Sequence, residues 1–507
     1  MNLDAYRAAA ETFVADHTRE YYRHFAGLQD ELRIEAVYAR HPGLFTRAAV
    51  EELRATLGDG AADGDEARRR RYLLDFAVEG LLGRATRTQE AELAKREAEL
   101  SLEIEGERIG FRESAVEQAN EPDRDRRERI ETARLAAIEE RLNPLHEEVL
   151  ETQHTVAREL GWASYREMCA ECKGIDLASL ARETAAFSAA TAAAYPDVVN
   201  APLRRAVGVG LDAARRADLP RFFRCAEADA RFPAASLVPA LRDTLDRLGI
   251  DLDAQPNVVV DVERRPKKSP RAFCAPVRVP QEIHLVVPPI GGRDDYVALF
   301  HEAGHAEHYA HADPGLAFEF RVLGDNSVTE GFAFLFDHLV EDPEWLRRHL
   351  GGELDPELAA HVRAVRLLFV RRYAAKLGYE LELHGAERPL EELAEDYAAR
   401  LSAAVGVPWP SVTYLADVDP GFYAAAYLRA WALETHLRAA LRESFGPAWF
   451  DEPEAGDFLR RLWREGQRRD AAELLAEEIG PPSRRLDFGA MLADLELEAT
   501  PAPSRSR

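Results

Sequence analysis

Residues 300–308, with the sequence FHEAGHAEH, constrain this chain more than any other stretch. Apolar residues lead into the segment, and neither glycine nor proline occurs from 296 to 303, so a helix is predicted. On a helix, His301 and His305 are four residues apart and present two imidazoles on one face. Zinc accepts imidazole nitrogens in tetrahedral geometry and needs one or two further ligands and an open position for water. Glu302, beside the first histidine, is placed to take a proton from that water.

The pattern is short, so its chance frequency matters. With 15 His and 90 acidic residues among 507, a His-acid-x-x-His sequence is expected fewer than about 0.1 times by accident. The alternative is a solvated helix whose histidines cap the helix or pair with neighbouring acids.

Glu330, which follows His305 after 25 residues, is the candidate third ligand. A second, very apolar helix is predicted from Ser327 onward, and apolar surroundings keep a metal carboxylate dry and fixed. The alternative is a capping box, with Ser327 as the N-cap and Glu330 at the third helical position. Asp337 lies about 20° from Glu330 around the helix axis. It is either an acceptor for a ligand imidazole N–H or an ordinary surface acid.

Together these residues resemble the thimet oligopeptidase and oligoendopeptidase F family of zinc metallopeptidases. The matching positions, including the spacing to the third ligand, are His301, Glu302, Gly304, His305, Ala306, His308 and Glu330. The resemblance implies one zinc ion per chain held by His301, His305 and Glu330, with Glu302 as the general base. His308, which matches the family in place, and Asp337, which lies on the face of Glu330, are the candidate supports of the ligands.

A histidine six residues after the second one is typical of a different zinc class, the metzincins. His311 stands at that position, but the metzincin motif also needs a glycine where this chain has His308. We therefore interpret His311 as coincidental.

Residues 417–431 resemble the C-terminal motif of the same family, which begins with a histidine and continues into Phe-Tyr-x-x-x-Tyr. Tyr423 and Tyr427 match its two tyrosines. A tyrosine hydroxyl aimed at a developing oxyanion stabilises a tetrahedral intermediate, so both are candidate catalytic residues. The alternative is an aromatic helix face packed in the core.

The chain departs from that motif at two positions. Asp417 occupies the region of the family's substrate-binding histidine, and Ala425 stands where many members have a tyrosine. An aspartate cannot donate to an oxyanion unless it is protonated. Asp417 is therefore a candidate substrate-binding residue at which transition-state stabilisation is expected to be altered.

Composition narrows the partners and the compartment. The net charge of −25 opposes binding to nucleic acid or to an anionic membrane, so neither is an expected partner. Four cysteines in a chain this long are not a disulfide framework and favour a reduced cytoplasm. No secretory signal is visible at the start, and no apolar run is long enough to span a bilayer. Short peptides are the expected substrates, and the sequence leaves the oligomeric state open.

The fold class predicted is mainly α, with a small β-sheet at about 256–288 just before the first metal helix. The metal helices are predicted at about 296–311 and 327–339. We expect an N-terminal helical region over 1–170, a catalytic region over 171–495 and a disordered tail over 496–507. The resemblance implies a helical zincin-type architecture with a deep substrate cleft.

The predicted function is zinc-dependent hydrolysis of internal bonds in short peptides. One alternative is a catalytically impaired homologue that keeps its zinc, which the departures at 417 and 425 suggest. The other is a helical interaction protein that uses the charged, helix-rich region 68–160.

Overall fold

The computed structural model describes residues 1–58, 64–352, 355–479 and 486–497. The protein is mainly helical, as the sequence predicts. In chain order, the α-helices of the described residues are α1 (Leu3–Phe25), α2 (Ile34–Arg40), α3 (Arg47–Gly58), α4 (Asp65–Glu99), α5 (Phe111–Asn120), α6 (Arg124–Ala137), α7 (Asn143–Glu159), α8 (Tyr165–Lys173), α9 (Leu177–Thr191), α10 (Tyr195–Val207), α11 (Leu219–Arg224), α12 (Leu237–Arg247), α13 (Arg293–Ala310), α14 (Phe318–Val322), α15 (Asn326–Asp337), α16 (Pro343–His349), α17 (Pro356–Leu383), α18 (Leu390–Val405), α19 (Tyr423–Phe445), α20 (Pro453–Trp463), α21 (Ala471–Leu474) and α22 (Gly489–Asp494).

Within the described residues, five short strands form two sheets. The strands are β1 (Ser101–Ile104), β2 (Glu107–Gly110), β3 (Val258–Asp261), β4 (Phe273–Arg278) and β5 (Glu282–Val286). In the three-stranded sheet β5 is central, antiparallel to β4 and parallel to β3. This sheet lies within the predicted range and immediately precedes α13, so that prediction is confirmed.

The chain divides into two compact units. The first contains the described residues of 1–80, 227–355 and 429–487, and the second contains those of 81–226, 356–428 and 488–507. This division differs from the boundary predicted near residue 170, because α1 packs against β4 of the three-stranded sheet. In that contact the ring of Tyr22 on α1 stacks on His284 of β5, with centroids 3.8 Å apart.

The first unit is built on the sheet and the two predicted metal helices. Four of the five residues of β5 are buried, and α13 packs against both β4 and β5. Helices α13 and α15 begin and end within a few residues of their predicted bounds. An aromatic contact joins α13 to α16, in which the rings of Phe300 and Trp345 meet edge to face with centroids 5.0 Å apart.

The second unit is helical around α17, which packs against α9, α10 and α18. Side chains of α10 and α17 donate hydrogen bonds to backbone carbonyls near the end of α18. The Tyr195 hydroxyl donates to the Val405 carbonyl at 2.7 Å, and Arg371 Nε donates to the Ala404 carbonyl at 2.8 Å. Between α6 and α7, residues Ile138–Leu142 form one π-helical turn.

The hairpin of β1 and β2 was not predicted, because the charged surroundings from 68 to 160 indicate helix throughout. The available signal was the alternation of Leu102 and Ile104, both buried, before a turn at Glu105 and Gly106 with positive φ.

The disordered tail was predicted from residue 496. Glu496 and Leu497 lie among the described residues, where Glu496 forms an ion pair with Arg363, and residues 498–507 lie outside the described residues.

None of the four cysteines, all of which lie among the described residues, forms a disulfide, and Cys274 is partly exposed whereas the other three are buried. Among the described helices, none combines the length and apolar character that crossing a bilayer requires.

Candidate metal centre

Helices α13 and α15 cross in backbone contact, and this crossing assembles the site. The contact occurs at Gly304, where a Cβ atom would lie 2.6 Å from the Phe332 carbonyl oxygen and 2.7 Å from Ala333 Cα. Any side chain at 304 would push the helices apart. The glycine between the two histidines therefore lets α13 approach the glutamate-bearing face of α15.

The crossing brings the three predicted ligands together. The Nε2 atoms of His301 and His305 lie 3.3 Å and 3.8 Å from the same carboxylate oxygen of Glu330. One ligand atom from each residue falls within 4.8 Å of the others. Atoms bound at about 2.1 Å in tetrahedral geometry are about 3.4 Å apart. Two imidazoles and a carboxylate at these separations fit a zinc ion, and their role as ligands stays a prediction.

Both imidazoles are held through their other ring nitrogen. His301 Nδ1 lies 3.0 Å from Asp337 Oδ2, as expected if Asp337 orients a ligand. His305 Nδ1 lies 2.8 Å from Thr329 Oγ1. With Nδ1–H donated to these oxygens, both Nε2 atoms face Glu330. Thr329 was missed, because its partner is set by where the two helices cross and not by any spacing in the sequence.

The capping-box alternative for Glu330 is wrong. The N-cap of α15 is Asp325, whose carboxylate accepts from the Ser327 backbone N–H at 2.9 Å. Ser327 is itself helical and buried. The Glu330 carboxylate is thus not used to close the helix end and lies beside the histidines with 7% of its side chain exposed.

Burial lowers the pKa of both histidines and the neighbouring carboxylates raise it, but the net shift has opposite signs at His301 and His305. Burial lowers the pKa of His305 to about 3, so its imidazole is neutral. At His301, burial also opposes the charge, but hydrogen bonds with Asp337 and Glu330 outweigh it and raise the pKa to about 10. A metal that binds here must therefore displace a proton from His301.

Glu302 is held at the edge of the three-stranded sheet. Its Oε2 accepts the backbone N–H of Cys274 on β4 at 2.8 Å. Burial raises the pKa of Glu302 to about 7, which is the range in which a carboxylate both accepts and returns a proton near neutral pH. The amide contact also shows how β4 enters the site: its backbone, not a side chain, positions the candidate base.

His308 supports the helix, not a ligand imidazole. Its Nε2 lies 3.2 Å from the Gly466 carbonyl oxygen, and its ring packs on Phe332 with centroids 5.0 Å apart. No hydrogen bond joins it to His301 or His305 in the part of the chain that the structure describes. His311 lies outside the ligand cluster, and its Nδ1 is 3.0 Å from the Glu307 carbonyl.

Tyr423 and Tyr427 belong to the second unit, at the start of α19. Their rings meet edge to face at 4.9 Å and are half-buried, whereas Ala424, Ala425 and Ala426 between them are buried. The two tyrosines therefore share the less buried face of the helix. Their role at a metal centre stays a prediction.

Asp417 is committed to partners within the second unit. Arg372 donates to its Oδ1, and the Tyr397 hydroxyl donates to its Oδ2 at 2.7 Å. Lys376 Nζ lies 3.8 Å from the same carboxylate and 2.9 Å from Asp419. Burial opposes its charge, but Arg372 and Lys376 outweigh it and lower the pKa of Asp417. Asp417 is therefore a deprotonated acceptor, and its predicted contact with substrate stays a prediction.

Comparison of the chain with protein-family models gave no match, and comparison with curated proteins gave none either.

Proposed function

We propose that this protein is a zinc-dependent oligopeptidase of the cytoplasm that hydrolyses internal bonds of short peptides, similar to the thimet oligopeptidase and oligoendopeptidase F family. The observation that carries the proposal is the convergence of two imidazole Nε2 atoms on one Glu330 oxygen beside Glu302. A structural ion cluster would have no need of a buried carboxylate next to the ligands with a pKa of about 7.

The zinc ion would be held by His301, His305 and Glu330, and when bound it lowers the pKa of its water and polarises the scissile carbonyl. Glu302 accepts the proton of that water and returns it to the leaving amine. The Cys274 amide keeps one oxygen of Glu302 fixed at 2.8 Å, so the carboxylate does not have to reorient between the two transfers. Tyr423 and Tyr427 are the proposed oxyanion donors, on the strength of the resemblance.

The test compares metal content with hydrolysis. Elemental analysis should find one zinc per chain in the wild type and in Glu302→Gln, and a quenched-fluorescent peptide library should reveal cleavage by the wild type. We expect Glu302→Gln to lose about 10²–10⁴-fold in turnover, the range for removing a general base. Asp294→Asn, on the same helix with 54% of its side chain exposed, is the matched control. Zinc absent from the wild type, or Glu302→Gln turning over at the wild-type rate, would overturn the proposal.

A second candidate is a zinc-binding homologue without hydrolytic activity. It is favoured by Asp417, which stands in place of the family's histidine and is ion-paired as an acceptor. Stoichiometric zinc with no cleavage across the library would support this candidate over the first.

A further inference from the structure

The second unit contains a cavity of about 210 Å³ between segments that are far apart in the sequence. We call it the Arg134 cavity and define it by Phe111, Arg134, Ile138, Leu142, His146 and Trp409. An apolar cavity of about 150 Å³ suffices for benzene. The Arg134 cavity therefore has room for a phenyl-sized group with a short polar extension.

Arg134 has no carboxylate within ion-pair distance among the described residues, and Glu131 and Glu97 offset the cost of its burial only in part. One of its terminal nitrogens donates to the Phe111 carbonyl and to Ser114 Oγ, each at 2.6 Å. Its guanidinium lies over the Phe111 ring, 4.5 Å from the centroid. Among the described residues, no carboxylate forms an ion pair with it, and burial lowers its pKa. A half-buried guanidinium in this state is stabilised by an anion.

The other charged groups that line the cavity are matched. Arg216 donates to both oxygens of Glu131 at 2.7 Å. Glu97 pairs with Arg112 at 3.2 Å, and Asp417 pairs with Arg372. Arg134 thus leaves one positive charge available in a chain whose net charge is −25. A singly charged anion balances it, whereas a dianion would be repelled by Glu97 and Asp417.

The apolar part of the wall includes an irregular helical turn. Ile138 and Leu142 mark the two ends of the π-helical turn between α6 and α7. Such turns are rare and occur frequently at functional sites, because they displace side chains from the regular helical positions. Here the turn places both side chains in the lining, beside Phe111.

We propose that the Arg134 cavity binds a small apolar monocarboxylate, with the carboxylate paired to Arg134 and the apolar group against Phe111, Ile138 and Leu142. A planar guanidinium binds a carboxylate through two parallel hydrogen bonds, which sets the orientation of the ligand. Free apolar amino acids and simple carboxylic acids share this chemistry. The site does not depend on the metal centre, so the two proposals can fail separately.

The experiment titrates the full-length protein with 3-phenylpropanoate, phenylalanine and 3-phenylpropanamide, and follows binding by saturation-transfer NMR and calorimetry. We expect at least one of the two carboxylates to bind with a Kd on the order of 0.1–1 mM, and the neutral amide at least about tenfold more weakly. Tighter binding of phenylalanine would identify an amino acid as the ligand type, and tighter binding of 3-phenylpropanoate a simple acid.

Arg134→Met should weaken binding of the carboxylate at least about tenfold, because it keeps the aliphatic stem and removes the charge. Arg129→Met is the matched control on the same helix, since Arg129 is exposed and pairs with Glu105 outside the cavity. Ala416 is exposed and lines the cavity, so Ala416→Trp should block binding even if Arg134→Met is poorly folded. No binding of either carboxylate, equal binding of the amide, or unchanged binding by both variants would overturn the proposal.

Discussion

The two units each contain a cluster of partly buried carboxylates, and the clusters differ in their cations. At the metal centre, neither Glu302 nor Asp337 forms an ion pair with an arginine or lysine within the described residues, and burial raises the pKa of both. In the second unit, Asp417 is paired with Arg372, and Lys376 lies close to Asp417 and Asp419. Its pKa is lowered.

The difference separates a candidate binding site from a structural network. Burying a carboxylate is costly unless a cation neutralises it. The second unit supplies its own cations, which account for the lowered pKa of Asp417. The candidate metal centre relies on His301, whose raised pKa keeps it protonated when no metal is bound, and its remaining negative charge is available to a cation from outside. Glu302 and Asp337 are thus the candidate functional carboxylates of this comparison.

The largest effect is expected from Arg372→Met. Removing the arginine strands Asp417 as a buried carboxylate, which typically costs about 3–5 kcal/mol, partly relieved here by Lys376. Chemical denaturation should therefore show a large loss in the free energy of unfolding. The double variant Arg372→Met/Asp417→Asn should recover most of it. A single variant as stable as the wild type would remove the basis of the comparison.

A second prediction concerns Asp337→Asn. The amide oxygen still accepts from His301 Nδ1–H, but the charge that raises the basicity of the imidazole is lost. We expect zinc to bind about 10–100-fold more weakly in competition with a chromophoric chelator. Calorimetry in buffers of different ionisation enthalpy should show less proton release than in the wild type, because His301 is no longer held protonated. Unchanged affinity and proton release would mean that Asp337 does not act on the ligand.

The pH dependence of stability gives the third prediction, measured with a chelator present. Glu302 has a pKa of about 7 when folded against 4.5 otherwise, so the folded protein binds its proton more tightly. The stability is fully present below about pH 4.5 and is lost as the pH rises to about 7. Glu302→Gln should match the wild type near pH 4.5 and exceed it by about 1–2 kcal/mol at pH 8 in denaturation curves.

A gain in stability at pH 8 is expected only from substitutions at the candidate metal centre. Asp417→Asn, measured in the same way, should lose stability at pH 8 because it removes a paired carboxylate whose pKa is lowered. Equal signs for the two substitutions would contradict the distinction between the clusters.

The smallest effect is expected from Thr329→Val. The variant keeps the shape of the side chain and removes a neutral acceptor from His305 Nδ1. Because a neutral hydrogen bond contributes about 0.5–1.5 kcal/mol, zinc affinity should fall about three- to tenfold. Thr329→Ser retains the hydroxyl and should bind zinc like the wild type. A weakening as great as that of Asp337→Asn would show that charge is not what distinguishes the two supports.

The sequence by itself determined what depends on local spacing. The two histidines share a face because a helix repeats every 3.6 residues, and the glutamate is placed by a second apolar helix at a family-like distance. The small sheet was predicted from its β-branched runs, and its bounds were confirmed. Gly304 was identified within the motif, but its reason, the backbone contact with α15, required the structure.

Only the tertiary structure decided which groups lie opposite the predicted residues. Thr329, the Cys274 amide and Arg372 are partners of His305, Glu302 and Asp417 from other elements, and no periodicity along the chain identifies them. The division into two units likewise depends on packing between segments far apart in the sequence. Helical spacing is a property of neighbours along the chain, whereas charge compensation is a property of neighbours in space. The chemistry of each carboxylate here follows from its neighbours in space.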